Sequence, residues 1–233
     1  MKLLQLTLIV MILSLSNAIV AQPATPISHS NSAEASTTNS PNVIITDSTP
    51  LNDDLPWSVL LYRGVTTENT LGQTLGMHYT TGNETVYSLE VARELPPDNV
   101  IRRYLQPLMS TTQLAANVAY RDDSAGGIYE FDPYLIFRWD NFPWRRYLDN
   151  SIGLGWGVSY VTRIPTWEQR NASNTKRLLN YLMLEVTFAL PRYPQWQVAL
   201  RLHHRSGVFG LYGADNAGST AVGIGIRYRF SLN

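Results

Sequence analysis

Apolar residues recur at every second position through most of the chain after residue 56. The clearest segment is TAVGIGIRYRF, in which Val222, Ile224 and Ile226 alternate with glycine and arginine. Successive side chains of a β-strand point to opposite faces, so this period of two predicts a strand with one apolar and one polar face. Sustained helical periodicity is absent from this part of the sequence, except for a short turn near 98–108. The period of two predicts eight strands, over 57–65, 85–94, 112–121, 127–140, 151–161, 179–190, 195–206 and 220–230.

The polar faces of these strands carry charges of both signs among glycines and small residues. Such faces suit the narrow interior of an eight-stranded barrel, where the charges pair with one another. Tryptophan and tyrosine fall near predicted strand ends, as they do in aromatic belts at membrane interfaces. We therefore predict an all-β fold, an eight-stranded antiparallel transmembrane β-barrel, with a soluble lipocalin-like barrel as the alternative. The inward charges expected to pair are Glu90, Glu130, Asp132 and Glu185 with Arg138, Arg201, Arg227 or Arg229, and the expected belt residues are Trp57, Trp139, Trp144, Trp156, Trp196 and Tyr228.

The N-terminal 54 residues have a different character. Lys2 precedes an apolar run from Leu3 to Leu15 and then small residues, which is typical of a secretory signal peptide and predicts one over 1–21. The alternative is a single membrane anchor, but the run is shorter than the ~20 residues that a spanning helix needs. Residues 22–54 are rich in Ser, Thr and Pro and predict a flexible segment. The barrel is then expected over 55–233, in the bacterial outer membrane.

The overall charge narrows the function further. The chain has 18 basic and 18 acidic residues, a balance that argues against a nucleic-acid partner. It has no cysteine, which excludes disulfides and thiolate metal sites. Among the histidines only His203 and His204 are neighbours, and neighbours in a strand face opposite sides. The sequence therefore predicts neither a metal site nor a cofactor.

One polar pair interrupts an apolar stripe at the end of the seventh predicted strand. In LRLHHRSGVFG, His204 and Ser206 follow Leu200 and Leu202 on the same face. With an even number of strands and both termini in the periplasm, the loop 207–219 is extracellular and this pair lies near the outer leaflet. A serine beside a histidine is an activated nucleophile for an ester carbonyl, and a lipid acyl ester is the substrate at that depth. The alternative is that polar residues occur there merely because a membrane interface is wet.

The end of the chain resembles the lipid A 3-O-deacylase (PagL) family, also described as acyloxyacyl-hydrolase-like outer-membrane proteins. The resemblance is strongest over 178–230 and rests on the H-x-S triplet, the turn DNAGS and the final GIGIRYRF. It implies that His204 is the general base, that Ser206 is the nucleophile, and that Asn216 supports the oxyanion.

The chain departs from the pattern of that family at two positions. Gly207 stands where the family usually has asparagine, and we group it with Asn216 as an oxyanion candidate. The family's glutamate, which orients the histidine, falls at Ser219 or Thr220, and neither side chain is anionic. Asp215 is the nearest carboxylate in the loop, so it is assigned as the replacement orienter.

These features together predict a serine-type esterase of the outer membrane that hydrolyses an acyl ester of lipid A or a related glycolipid. Its partner is then outer-membrane lipid, including lipopolysaccharide. The alternative is a non-catalytic barrel with a structural or adhesion role. A small-molecule channel is disfavoured because eight strands leave no open pore. The sequence leaves open whether the barrel acts as a homodimer.

Overall fold

The computed structural model describes residues 55–232, which form one closed antiparallel barrel. Each strand pairs with the next along the chain, and the eighth pairs with the first, so the sheet has no free edge. The predicted fold class is confirmed. The predicted signal peptide and flexible segment, residues 1–54, lie outside the described residues. The strands are β1 (Trp57–Thr67), β2 (Thr81–Glu94), β3 (Thr111–Asp122), β4 (Ile128–Trp139), β5 (Asp149–Val161), β6 (Leu178–Ala189), β7 (Trp196–Ser206) and β8 (Gly218–Phe230).

Helices are confined to the connections between strands. They are α1 (Leu71–Leu75), α2 (Val100–Leu105) and α3 (Thr166–Asn171), followed by a 3₁₀ turn at Val208–Gly210. The turn predicted near 98–108 is confirmed as α2, whereas the sequence did not predict α1 and α3. Over residues 55–232, no helix is long and apolar enough to cross a membrane.

The two ends of the barrel differ in their connections. We call upper the end that carries the β1–β2, β3–β4, β5–β6 and β7–β8 connections, and lower the end that carries the other three. Aromatic side chains gather at the lower end, where the rings of Trp196 and Tyr228 are 4.7 Å apart. Trp57 is the first residue of β1 and Trp139 the last residue of β4, so both lie at strand ends there, as predicted. Trp156 instead lies well inside β5, so its predicted place at a strand end is wrong.

The outward face of the barrel is apolar. Leu61, Trp156 and Leu200 are exposed by 64%, 59% and 51%, while the alternate positions of their strands are mostly buried. An apolar outer surface around a closed barrel with a charged interior is a surface solvated by lipid, and it is characteristic of outer-membrane barrels. The protein is therefore a β-barrel of the bacterial outer membrane.

A network of ion pairs lies in the lower half of the interior. Glu185 contacts Arg138 at 2.7 Å, Arg201 at 2.6 Å and Arg227 at 2.6 Å. Glu90 contacts Arg201 at 2.6 Å and Arg227 at 3.1 Å. Buried charges are tolerated when they are paired in this way. The predicted pairing is confirmed for these two acids.

The predicted pairing is wrong for the other two acids. Glu130 pairs with Arg121 at 2.7 Å instead of any of the arginines expected for it. Asp132 forms no ion pair in the described part of the chain, and its Oδ2 accepts a hydrogen bond of 2.8 Å from Asn117 Nδ2. The physical reason is the level of each acid along the barrel axis. Alternation fixes which face a residue takes, but only the strand register fixes its level, and the two acids lie nearer the upper end.

Candidate active site

Strand β7 carries the predicted pair to the upper end of the barrel. Its register with both neighbours runs without a bulge, so the alternation from Trp196 continues to Ser206. His203 and Arg205 are buried in the interior, whereas His204 and Ser206 are half-buried on the outward face. The predicted outward orientation of the pair is confirmed.

Thr220 holds the ring of His204 from the neighbouring strand. The two residues are direct partners across β7 and β8, and Nδ1 of the ring is 2.9 Å from the Thr220 hydroxyl oxygen. If the Nδ1 proton is donated to that oxygen, Nε2 is left as the nitrogen that can accept a proton. A hydroxyl thus occupies one of the two positions at which the resemblance led us to expect the family's glutamate. It can fix the ring's orientation, but it offers no negative charge to an imidazolium.

The hydroxyl of Ser206 is also held in place. Its oxygen accepts a hydrogen bond of 3.1 Å from the backbone N–H of Val208, so its own proton is free to be donated elsewhere. Val208 and Phe209 have φ angles of 44° and 55°, a left-handed conformation that is strained for a β-branched residue such as valine. Strained backbone clusters at active sites and ligand clamps. Over the described range, no hydrogen bond joins His204 to Ser206.

Within residues 55–232, no hydrogen bond joins the loop residues assigned to the site to the histidine ring. The backbone N–H of Gly207 donates to the carbonyl of Ala217 at 3.0 Å, which uses the amide that would serve an oxyanion. Asn216 is exposed and has a φ of 51°. Asp215 is bridged to Asn174 through its backbone N–H, and within residues 55–232 no hydrogen bond joins its carboxylate to His204. The roles of these three residues remain predictions.

Asn180 is a polar neighbour of the site that the sequence reasoning missed. It lies directly opposite Ser206 on β6, and its Oδ1 accepts a hydrogen bond from the indole N–H of Trp156. This contact directs the amide nitrogen, a hydrogen-bond donor, away from Trp156. The signal was an asparagine on a strand face otherwise occupied by Leu182 and Leu184. It passed unnoticed because its pairing with Ser206 depends on the strand register.

Apolar side chains surround the polar pair at the upper end. Phe209 and Leu211, in the connection that follows Ser206, are exposed by 80% and 75%. Large apolar side chains this exposed at a loop tip beside a membrane interface are suited to contact with acyl chains. The site therefore combines a held histidine, a serine and an apolar rim.

Comparison with known proteins gives likeness of fold but no family. No family model matches the chain, and no curated protein matches it. A crystal structure of the outer membrane enzyme PagL aligns at 14% identity over 75% of this chain and 99% of that one, with a TM-score of 0.47. The N-terminal β-barrel domain of Pseudomonas aeruginosa OprF aligns at 10% identity over 76% and 98%, with a TM-score of 0.41. Ail of Yersinia pestis aligns at 11% identity over 76% and 100%, with a TM-score of 0.39. Likeness of this kind does not identify an activity.

Proposed function

We propose that this outer-membrane barrel is an esterase that removes an acyl chain from lipid A or a related glycolipid. The observation that carries the proposal is the pair His204 and Ser206 on the lipid-facing side of β7, with the ring held through Nδ1 by Thr220. A polar pair on that face is costly unless it meets a headgroup or performs chemistry. The exposed Phe209 and Leu211 supply the apolar contact that an acylated substrate requires.

The reaction follows from the two side chains. Ser206 Oγ attacks the ester carbonyl carbon while its proton passes to His204 Nε2. The imidazolium then returns that proton to the departing sugar hydroxyl, and water hydrolyses the acyl-serine to release a fatty acid. The Asn180 amide beside Ser206 is a donor for the oxyanion, together with Asn216 from the loop. The missing His204–Ser206 hydrogen bond fits this scheme, because catalytic hydrogen bonds are often long without substrate and tighten when it binds.

The test is release of fatty acid from purified lipopolysaccharide by the detergent-refolded barrel, followed by mass spectrometry of lipid A. We expect His204→Ala and Ser206→Ala each to lower the rate by at least about a hundredfold, since each removes a reacting group. His78→Ala and Ser173→Ala are matched controls, because both residues are exposed in connections at the same end. Lipid A left intact by the folded wild-type barrel, across several acylation patterns, would exclude the esterase.

The second candidate function is a non-catalytic barrel with a structural or adhesion role. One observation favours it: the group that holds His204 is the neutral Thr220, and over the described part of the chain no carboxylate bonds to the ring. A histidine without an acid is a weaker base when it must become an imidazolium. In that case the wild type and the His204 and Ser206 variants would leave lipid A equally unchanged.

A further inference from the structure

A second histidine lies in the interior, away from the outward-facing site. His203 on β7 meets Glu130 and Asp132 on β4, and all three side chains are buried. One ligand-type atom of each residue lies within 4.8 Å of the others. β4 and β7 are not neighbours in the sheet, so this group forms only because the barrel closes. The sequence prediction of no metal site considered the spacing of histidines along the chain and did not anticipate this grouping.

The orientation of His203 suits a metal ligand. Its Nδ1 is 3.2 Å from the Tyr181 hydroxyl, and its Nε2 points to Glu130 Oε1 at 3.0 Å. Metal-binding histidines commonly use the second ring nitrogen for an orienting hydrogen bond of this kind. Arg121 takes the other carboxylate oxygen of Glu130, Oε2, at 2.7 Å. Oε1 faces the histidine, and it also accepts a hydrogen bond of 2.6 Å from the Ser159 hydroxyl.

Two buried oxygens, one in this group and one beside it, have no hydrogen-bond partner. Asp132 Oδ1 and Asn117 Oδ1 are both shielded from solvent, and neither forms a hydrogen bond. The two side chains are adjacent, since Asn117 Nδ2 donates to Asp132 Oδ2 at 2.8 Å. An unsatisfied buried oxygen is costly, and a bound cation removes that cost for both atoms.

The charges of the upper interior also call for a cation. Five carboxylates lie buried there, those of Glu84, Asp123, Glu130, Asp132 and Glu168. Three guanidinium groups face them, those of the buried Arg121 and Arg205 and of the half-buried Arg163, which pairs with Asp123 at 3.2 Å. Arg121 pairs with Glu84 and Glu130, and Arg205 pairs with Glu168 at 3.3 Å, which leaves Asp132 without an ion pair. With His203 neutral, the described residues leave an excess of two negative charges. A divalent cation balances that excess.

We infer that the upper interior of the barrel holds one divalent transition-metal ion, of which Zn²⁺ is the representative, between His203, Glu130 and Asp132. Asn117 Oδ1 supplies a fourth oxygen. One imidazole nitrogen with carboxylate and amide oxygens is a donor set that zinc accepts. Ligand atoms at about 2.1 Å from one ion lie at most about 4.2 Å apart, so the group needs only small side-chain rotations. The ion joins β4 to β7 across the lumen, independently of any esterase activity.

The test measures Zn²⁺ bound to the metal-free, folded barrel in detergent by elemental analysis after gel filtration, and by isothermal titration. We expect one Zn²⁺ per barrel in the wild type and at least a tenfold weaker affinity in His203→Gln and Asp132→Asn. His204→Gln is the matched control, because it makes the same change one residue along on the outward face and should bind as the wild type does. Folding is checked for every variant by the heat-dependent shift in gel mobility.

Co²⁺ provides a measurement that needs no variant. Bound in this low-symmetry nitrogen and oxygen site, it should give visible absorption bands that one equivalent of Zn²⁺ abolishes. Absence of Zn²⁺ from the folded wild type, or equal loss of binding in His203→Gln and His204→Gln, would overturn the inference. A proton shared by Glu130 and Asp132 would then be the remaining way to relieve the buried charge.

Discussion

The ring of His204 meets a hydroxyl where a carboxylate would hold it more strongly. The Thr220 hydroxyl oxygen can accept a hydrogen bond from Nδ1–H and so select the tautomer in which Nε2 is basic. It cannot stabilise the imidazolium that forms when Ser206 gives up its proton. At the residue scale, this contact sets how strong a general base His204 can be, and so how fast the proposed esterase runs.

Removal of the Thr220 hydroxyl should therefore slow the proposed esterase without preventing substrate binding. We expect Thr220→Val, which keeps the shape, to lower kcat about tenfold with little change in KM, because one orienting hydrogen bond is lost. Thr220→Ser keeps the hydroxyl and should restore most of the rate. Fatty-acid release at varied lipopolysaccharide concentrations measures both constants. A raised KM with unchanged kcat in the valine variant would show that Thr220 packs against substrate instead of orienting the ring.

Two upper connections are tied together by one carboxylate. Asp123, just after β3, accepts hydrogen bonds from the backbone N–H of Thr166 at 2.7 Å and from its hydroxyl at 2.7 Å. It therefore caps α3 from another connection, since Pro165 offers that helix no side-chain cap. Burial by itself raises the pKa of this carboxyl, but the hydrogen bonds from Thr166, Ala125 and Arg163 outweigh it and hold the pKa below its usual value.

The lowered pKa of Asp123 predicts how α3 and its connection respond to acid. A carboxylate with a depressed pKa contributes stability above its unfolded pKa of about 3.9 and loses it as pH falls through the folded value. We expect the connection 162–177 to stay ordered at neutral pH and to loosen below about pH 4. Amide hydrogen exchange at Thr166 measures this. Asp123→Ala should loosen it already at pH 7, whereas Asp122→Ala, a change to an exposed neighbour, should not.

For the whole molecule, ion pairs share the barrel interior with small clusters of buried apolar side chains. Glu185 is the centre of the lower group, because it contacts three arginines. Removing one charge would leave buried guanidinium groups without compensation, which costs far more than an exposed pair is worth.

Glu185→Gln should accordingly lower the free energy of unfolding by about 3–5 kcal/mol, measured by urea titration of the barrel in lipid vesicles. Asp98→Asn is the control, because that carboxylate is exposed in the β2–β3 connection. A loss below about 1 kcal/mol for Glu185→Gln would mean that the lower group is hydrated and its charges are screened by water.

The alternation of side chains was sufficient to predict the strands and their faces. Whether a side chain points inward or outward depends only on its odd or even position along the strand, which is a local property. Because the outer face contacts lipid and the inner face is charged, this alternation is visible in the sequence. For this reason the sequence by itself places His204 and Ser206 outward and Glu185 inward. The eight strands follow from the same signal, with ends that shift by up to four residues.

The level of each side chain along the barrel, and the side chains that it contacts, were decided only by the closed barrel. Register sets Asn180 beside Ser206, and Thr220 beside His204. Closure brings His203 to Glu130 across the lumen, although the two residues lie far apart in the chain. Hydrogen bonds between strands are the same whichever residues carry them, so the sequence determined the face of each side chain, while the accumulated stagger of eight strands determined which side chains meet.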